Sequence, residues 1–323
     1  MKKWLPAALL VLTFVGSLYV GATQIDNFWS ALFNPGSNEI LWQIRFARVT
    51  AAVIVGAALG VAGLLAQGAC NNAVAEPAIL GTAAGASFGA VIAISAGLVE
   101  VGTLGAIACG TIGALLTTSL TFKLAAIRGA LSSFTLIIVG IAVSAIFTSF
   151  VGIAAAMVSR ADARSISFWS LGSLALVTTE NLLGIAITTV IGIAIAWKIA
   201  PALDRLSLGD ATAFHLGVNV ARIRLVALIA LSILAGGAVS TVGSIAFIGL
   251  AAPHIARIIY GPTHRKLVAH SAIIGALIVV VADTVSRTIA QPNELPIGLA
   301  TALLGAPVLI ALVATKNNVW RTQ

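Results

Sequence analysis

The chain has 323 residues, of which 59% are hydrophobic and 9% are charged, and its mean hydropathy is +1.09. A soluble domain carries roughly a quarter charged residues, so this composition excludes an ordinary soluble protein and indicates a polytopic membrane protein. The formal net charge of +8 does not indicate nucleic-acid binding, because the basic residues lie in short loops between apolar runs.

The apolar runs are long and continuous rather than alternating, which predicts membrane-spanning helices and not a β-barrel. We therefore expect an all-α fold in a single transmembrane domain over residues 1–323. The first run could instead be a secretory signal peptide, but it is long for one and no clear cleavage site follows it. About ten spans are predicted, over residues 4–23, 46–68, 79–98, 102–122, 131–157, 181–199, 224–242, 245–260, 267–284 and 296–315.

Basic residues are distributed unevenly over the loops that join these spans. With the amino terminus in the cytoplasm, thirteen of the 18 Lys and Arg residues fall on the cytoplasmic side and five on the opposite side. This bias follows the positive-inside rule, and an even number of spans returns the chain to its starting side. We therefore expect both termini in the cytoplasm.

Three arginines on the outer side run against that trend. Arg45 and Arg48 lie about one turn apart at the start of the second span, and Arg287 lies in another outer loop. These side chains could pair with an acidic partner protein, or they could reach lipid phosphates, and the residues leave both readings open. Asp283 stands four residues before Arg287, a spacing that favours an ion pair on one helix.

Residues 200–225 form a polar stretch between two apolar spans and are the main segment that we expect to be exposed to the cytosol. Pro201 suits the first turn of a helix, Asp210 can cap the next helix, and Gly217 can end it. The residues between the cap and the glycine would then form one or two turns held out of the bilayer. Such a short exposed helix could dock into a groove on another protein or rest on the lipid surface.

The sequence lacks the motifs of a catalytic site. It contains no G-x-x-x-x-G-K-[ST] phosphate loop, no cluster of metal ligands and no recognisable Ser/His/Asp order. We therefore expect a protein that is not an enzyme by itself and holds no cofactor or metal. A proton-coupled carrier usually needs carboxylates at mid-span, and these are scarce, so a secondary transporter is the less favoured alternative.

A series of motifs extends over nearly the whole chain. They are G-A-A-L-G-V-A-G-L-L-A-Q at 56–67, N-N-A-V-A-E-P-A-I-L-G-T-A-A-G-A at 71–86, F-W-S-L-G-S-L at 168–174, L-G-D-A-T-A-F-H-L-G at 208–217, G-S-I-A-F-I-G-L-A-A-P-H at 243–254, A-D-T-V-S-R-T at 282–288 and E-L-P-I-G-L-A-T-A-L-L-G-A-P at 294–307. In sequence and order they resemble the FecCD-type permeases, the membrane subunits of ABC importers for ferric siderophores, haem and cobalamin.

The resemblance implies a ten-span permease of the bacterial cytoplasmic (inner) membrane that carries an iron chelate, with cobalamin as the alternative cargo. It implies three partners. The first is an ABC ATPase dimer, which would bind ATP and Mg²⁺. The second is a periplasmic or lipid-anchored substrate-binding protein. The third is a second permease copy, identical to the first or not.

The resemblance also implies roles for individual residues. The loop over 200–225 would couple the permease to the ATPase, the outer arginines would contact the binding protein, and two inner turns would close the translocation gate. The implied sets are Asp210, Ala211, Ala213, Leu216 and Gly217 for coupling, Arg45, Arg48 and Arg287 for docking, and Asn72, Val74, Ser132 and Ser133 for the gate. The chain departs from the family pattern in places. Residues 71–75 read Asn-Asn-Ala-Val-Ala where Arg-Asn-Pro-Leu-Ala is common, so Asn71 replaces an Arg, and Ser244 stands where Pro is usual.

Overall fold

The computed structural model describes residues 4–21, 23–100, 103–127, 132–289 and 293–316. Within these ranges the ordered elements are all helices, which confirms the all-α prediction. They are α1 (Leu5–Tyr19), α2 (Phe28–Phe33), a π-helix (Ile40–Arg45), α3 (Phe46–Cys70), α4 (Thr82–Ser95), α5 (Leu104–Ala126), α6 (Ser133–Met157), α7 (Arg160–Ser170), α8 (Thr179–Leu206), α9 (Asp210–His215), α10 (Val220–Val242), α11 (Ile248–Tyr260), α12 (His264–Ile289) and α13 (Ile297–Lys316).

Each of the ten predicted spans contains one helix, but the helices differ in length. Among the described residues, six helices are long and apolar enough to cross a membrane: α3 with the π-helix, α5, α6, α8, α10 and α12. Helices α1, α4 and α11 have 15, 14 and 13 residues, fewer than the ~20 that a perpendicular span needs. Helices α4 and α11 pack on long neighbours, α5 and α12, so protein rather than lipid covers part of each of these two short helices.

Two segments that lie between the predicted spans contain helices. The segment 25–45 holds α2 and the π-helix, and the segment 159–180 holds α7. In α7 the side chain of Trp169 is only 7% exposed and belongs to a buried apolar cluster with Ala90 and Val91 of α4 and Ala154 of α6. This apolar contact gives α7 a reason to fold, which the surrounding polar residues concealed in the sequence.

The centre of the fold is α3, whose side chains are buried along most of its length. Gly56, Gly60 and Gly63 lie on one face of this helix. A Cβ added at Gly56 would collide with the backbone of Gly275 in α12, and one added at Gly63 would collide with Gly249 in α11. Glycine therefore permits the close approach of three helices, which then gain dispersion contacts without burying polar groups.

The π-helix and α3 form one continuous rod of 31 residues, about 45 Å long at 1.5 Å per residue. Its two ends therefore lie on opposite sides of the molecule. The carboxyl end, near Cys70, lies beside α9 and the starts of α6 and α10, and we call it the α9 end. The amino end, near Arg48, lies beside the last turns of α1 and α12, and we call it the Arg48 end.

Candidate functional site

The α9 end begins with the last turns of α8. Pro201 lies inside this helix and does not open a new one, which corrects the sequence prediction. The reason is that Leu203 and Leu206, 1% and 0% exposed, continue the packed face of α8 beyond the proline. Asp204 then joins α8 to α12, because its Oδ1 lies 2.7 Å from the backbone N and 2.8 Å from Nδ1 of His264.

The end of α9 has the geometry that the sequence predicted. Gly217 has φ +78°, a left-handed conformation that glycine adopts without steric cost. The N–H of Val218 donates to the carbonyl of Ala213 at 3.0 Å, and the N–H of Gly217 donates to that of Phe214 at 2.9 Å. This pair of bonds is a Schellman motif, so the prediction that Gly217 ends the helix is confirmed.

The start of α9 differs from the prediction. Gly209 occupies the cap position, with φ +97°, and Asp210 is the first residue of the helix. The Asp210 carboxylate is instead taken by Arg224, whose Nη2 lies 2.9 Å from Oδ1. A carboxylate in the first turn still favours the helix, because it faces the positive end of the helix dipole.

The side chains on and around α9 divide into a buried and an exposed set. Ala213 is 0% exposed, so it holds α9 onto the chain and does not lie on the outer surface expected for a coupling contact. Phe214 is 71% exposed, Leu216 51% and Leu208 61%, and Ala211 is exposed as well. The α9 end therefore presents large apolar side chains on a short helix, and these include two residues that the sequence analysis did not single out.

Arg224, in the first turns of α10, connects three elements at this end and is only 2% exposed. Its Nε donates to the carbonyl of Ala69 in α3 at 2.9 Å. Its Nη2 donates to Asp210 of α9 at 2.9 Å and to Oγ of Ser133, the first residue of α6, at 3.3 Å. The sequence analysis counted Arg224 only as one inner basic residue, since contacts over 91 and 155 residues leave no local signal.

The turn after α3 carries the first two residues of the predicted gate. Asn71 ends the helix with φ +44°, a left-handed conformation that Asn tolerates better than most residues. The Asn72 side chain accepts a hydrogen bond from the N–H of Val74 at 3.0 Å, which fixes the turn. Val74 itself is 44% exposed, so its side chain is free to meet a partner.

The start of α6 carries the other two residues of the predicted gate. The Ser132 Oγ caps the helix by accepting from the N–H of Thr135 at 3.1 Å, which gives Ser132 a local structural role. Ser133 accepts from Arg224, as described above. We call residues 71–74 and Ser132 with Ser133 the gate turns; the structure places both at the α9 end, and their gating role stays a prediction.

Arg48 is the centre of an ion cluster at the opposite end. Its Nη2 lies 2.9 Å from Oδ1 of Asp283 in α12, and its Nη1 lies 2.8 Å from Oε1 of Glu294, just before α13. Arg287 adds a looser contact, with Nε 3.5 Å from Oδ2 of Asp283. The expected pair between residues 283 and 287 is therefore present, but Arg48 makes the closer contact, which the sequence could not indicate.

Arg45 and Arg287 are buried rather than displayed at the surface, with 4% and 6% exposure. Arg45 donates to the carbonyls of Leu18 and Tyr19, each at 2.9 Å, and to that of Thr23. Arg287 donates to the carbonyl and hydroxyl of Ser17. Both guanidinium groups thus satisfy carbonyls at the end of α1, where cations are favoured by the helix dipole. This placement gives them an internal role, and contact with a binding protein stays a prediction.

A cavity of about 230 Å³ lies between α4, α6 and the residues that precede α11. Its polar lining is made of hydroxyl groups, from Ser87, Ser144, Thr148, Ser170 and Ser244. A smaller neighbouring cavity shares Ser244 and is lined by Glu76, in the loop between α3 and α4. Burial raises the pKa of Glu76, and a hydrogen bond from the backbone N–H of Phe247 opposes that rise.

In the part of the chain that the structure describes, no group of three or more His, Cys, Asp or Glu side chains could hold a metal ion. The polar groups described above are instead arranged to join helices or to line cavities.

Comparison with known proteins gives consistent matches over the whole chain. The sequence profile of the FecCD transport family matches residues 9–315. The chain is 36% identical to the iron(3+)-hydroxamate import permease FhuB of Bacillus subtilis, over 96% of this chain and 82% of the relative. It is 36% identical to the hemin permease HmuU of Yersinia pestis, over 96% and 94%, and 31% identical to the vitamin B12 permease BtuC of Vibrio cholerae, over 98% and 96%.

A solved structure supports the same match at the level of the fold. It is an inward-facing ABC transporter assigned to the metal-chelate type, with 29% sequence identity and a TM-score of 0.84. The alignment covers 97% of this chain and 98% of that chain. The likeness therefore extends to the arrangement of helices and is not limited to short motifs.

Proposed function

This chain belongs to the FecCD transport family, and on that premise we propose that it carries an iron chelate, a ferric siderophore or haem, across the membrane. It is a permease of an ABC importer and a multi-pass protein of the inner membrane. Cobalamin is the alternative cargo, because a vitamin B12 permease is among its relatives. We further propose that both termini are cytoplasmic and that ATP and Mg²⁺ act only on a separate ATPase subunit.

The observation that carries the proposal is the exposed apolar side of α9. Phe214 and Leu216 are held out on a short helix between two long apolar helices, although exposed side chains of this size gain nothing from water. A helix that lays apolar side chains into a groove is a common recognition mode. We propose that this groove belongs to the ATPase, with Asp210, Ala211 and Gly217 at the edge of the contact.

The docking of a substrate-binding protein is proposed for the Arg48 end. Arg48 is the best placed of the three arginines, because one of its partners, Glu294, is itself 37% exposed at its side chain. An acidic group of the binding protein would compete with Glu294 for the same guanidinium. Arg45 and Arg287 would support this surface from beneath, by holding the end of α1.

The cavity between α4 and α6 is proposed as part of the translocation path. Its hydroxyl groups offer hydrogen bonds without a fixed charge, which suits a path that must release its cargo. Helix α6 is the least buried of the six long helices. We propose that a second permease copy packs against this side and closes the path, with the gate turns of both copies at the α9 end.

The test is chelate uptake by cells that lack this gene. We expect loss of uptake of radioiron-labelled hydroxamate siderophore or of haem, with restoration by the wild-type chain but not by Phe214→Ser. Phe33→Ser is the matched control, because Phe33 is 77% exposed and lies in α2, away from the α9 end. Phe214→Ser, but not Phe33→Ser, should reduce co-purification of the ATPase.

Three results would contradict parts of the proposal. Loss of cobalamin uptake alone would make the vitamin the cargo. Uptake that continues without the ATPase but stops with a proton uncoupler would make the protein a secondary carrier. Full activity of Phe214→Ser, at normal expression, would remove α9 from the ATPase contact.

A further inference from the structure

We propose that Arg224 is the positioning residue that transmits movement of α9 to the two gate turns. The proposal rests on the proposed function, because it requires α9 to be the segment on which an ATPase acts. It adds a physical connection between that segment and the gate, which otherwise lie on different helices.

The connection consists of hydrogen bonds from one guanidinium group to three elements. Nε donates to the carbonyl of Ala69, two residues before the first gate turn, at 2.9 Å. Nη2 donates to Asp210 on α9 at 2.9 Å and to Ser133 in the second gate turn at 3.3 Å. The planar fork of arginine holds these directions fixed relative to one another, which the single nitrogen of lysine cannot do.

Burial makes this connection difficult to break one bond at a time. Arg224 is 2% exposed at its side chain, whereas the carboxylate of Asp210 is 50% exposed and belongs to the proposed docking helix. If α9 moved alone, a buried cation would be separated from the carboxylate of Asp210, which is strongly unfavourable. Arg224 therefore follows α9, and its hydrogen bonds to Ala69 and Ser133 carry those residues with it.

A second polar side-chain contact at the same end shows the contrast. The pair between Asp204 and His264 joins α8 to α12, at 2.8 Å from Oδ1 to Nδ1. Neither residue belongs to α9 or to a gate turn. That contact anchors the surrounding helices, whereas the contacts of Arg224 join the docking helix to the parts that must move.

The experiment compares Arg224→Lys with the wild type in the complete importer, reconstituted in liposomes with its ATPase and binding protein. Arg222→Lys is the matched control, because it makes the same substitution two positions earlier on an exposed side chain. We expect Arg224→Lys to hydrolyse ATP like the wild type but to import roughly tenfold less chelate or lower still, a typical size for the coupling of two sites. Arg222→Lys should import normally.

A labelling measurement separates lost coupling from general damage. The variant Val74→Cys, in a chain that also carries Cys70→Ala and Cys109→Ala, is treated with a maleimide in the presence and absence of ATP. In the wild-type background we expect nucleotide to change the labelling rate. In the Arg224→Lys background that change should disappear while the ATPase stays bound, an outcome that a merely structural role would not produce.

Each remaining outcome decides between the two proposals. Normal import by Arg224→Lys, with normal import by the wild type, overturns this inference alone. Absence of chelate import by the intact wild-type complex overturns the proposed function. If Arg224→Lys does not assemble, Asp210→Asn is tested instead, because it removes the negative charge that faces Arg224 at an exposed residue. Import at the wild-type rate by Asp210→Asn then overturns the inference.

Discussion

The guanidinium of Arg48 holds the carboxylate of Asp283 through two nitrogens, with Nε and Nη2 each 2.9 Å from Oδ1. Asp283 is 1% exposed and lies on α12, so the contact joins the central helix α3 to a neighbour far away in sequence. A buried carboxylate with so little access to water depends on such a partner for its charge. The contact therefore gives Arg48 a role in stabilising the fold, which does not depend on any contact with a binding protein.

Arg48→Met is expected to destabilise the protein by about 3 kcal/mol, because it removes the closest cation from the buried Asp283 and leaves the longer contact to Arg287 among the described residues. Thermal unfolding of the purified protein in detergent measures the effect. Arg160→Met, at an exposed site, is the control and should change little. The double variant Arg48→Met with Asp283→Leu should recover part of the loss, and an unchanged unfolding temperature in the single variant would refute the expectation.

Arg45→Gln separates a docking role from a structural one. Because Arg45 is 4% exposed and donates to three carbonyls near the end of α1, the variant should lose about 2 kcal/mol of stability. The affinity of the surviving protein for its binding protein should stay the same, measured in nanodiscs at two salt concentrations. Weakened docking at unchanged stability would instead return Arg45 to the docking surface.

The sequence predicted the parts of this protein that depend on local patterns. The apolar runs located ten helices, and Gly217 located the end of α9, because hydrophobic length and a left-handed glycine are properties of a short stretch of chain. The family resemblance directed attention to the region around α9, and the coupling role that it implies there stays a prediction. None of these predictions required knowledge of which helices are neighbours.

The missing parts depend on contacts between distant segments. Arg45 reaches Leu18 over 27 residues and Arg48 reaches Asp283 over 235, so their burial could not be read from a run of residues. The same reason hid the burial of Ala213, whose small side chain gives no hint of which face of α9 turns inward. The helix in 159–180 was hidden because its anchoring residue, Trp169, needs α4 as a partner.

Gly217→Val should impair coupling more than Gly217→Asn. No atom lies within 4 Å of a Cβ built at this position, so the cost of a side chain is conformational rather than steric. A β-branched residue in the left-handed region costs roughly 1–2 kcal/mol, whereas Asn adopts it more readily. Co-purification of the ATPase and chelate uptake measure the effect, and equal losses in the two variants would show that the φ angle of +78° is not what matters.

Glu76→Gln should stabilise the protein at neutral pH and have little effect in acid. Burial raises the pKa of Glu76, so the folded protein binds this proton more tightly than the unfolded chain. The stability linked to that proton is complete below the unfolded pKa and is lost as the pH rises through the folded pKa. A glutamine side chain keeps an oxygen acceptor for the N–H of Phe247 but never ionises. Thermal unfolding of the wild type and of Glu76→Gln from acid to neutral pH measures the effect. Glu39→Gln, at an exposed site, is the control for removing one carboxylate. If the difference between wild type and Glu76→Gln does not change with pH, the carboxyl group does not titrate during unfolding in the way that its burial requires.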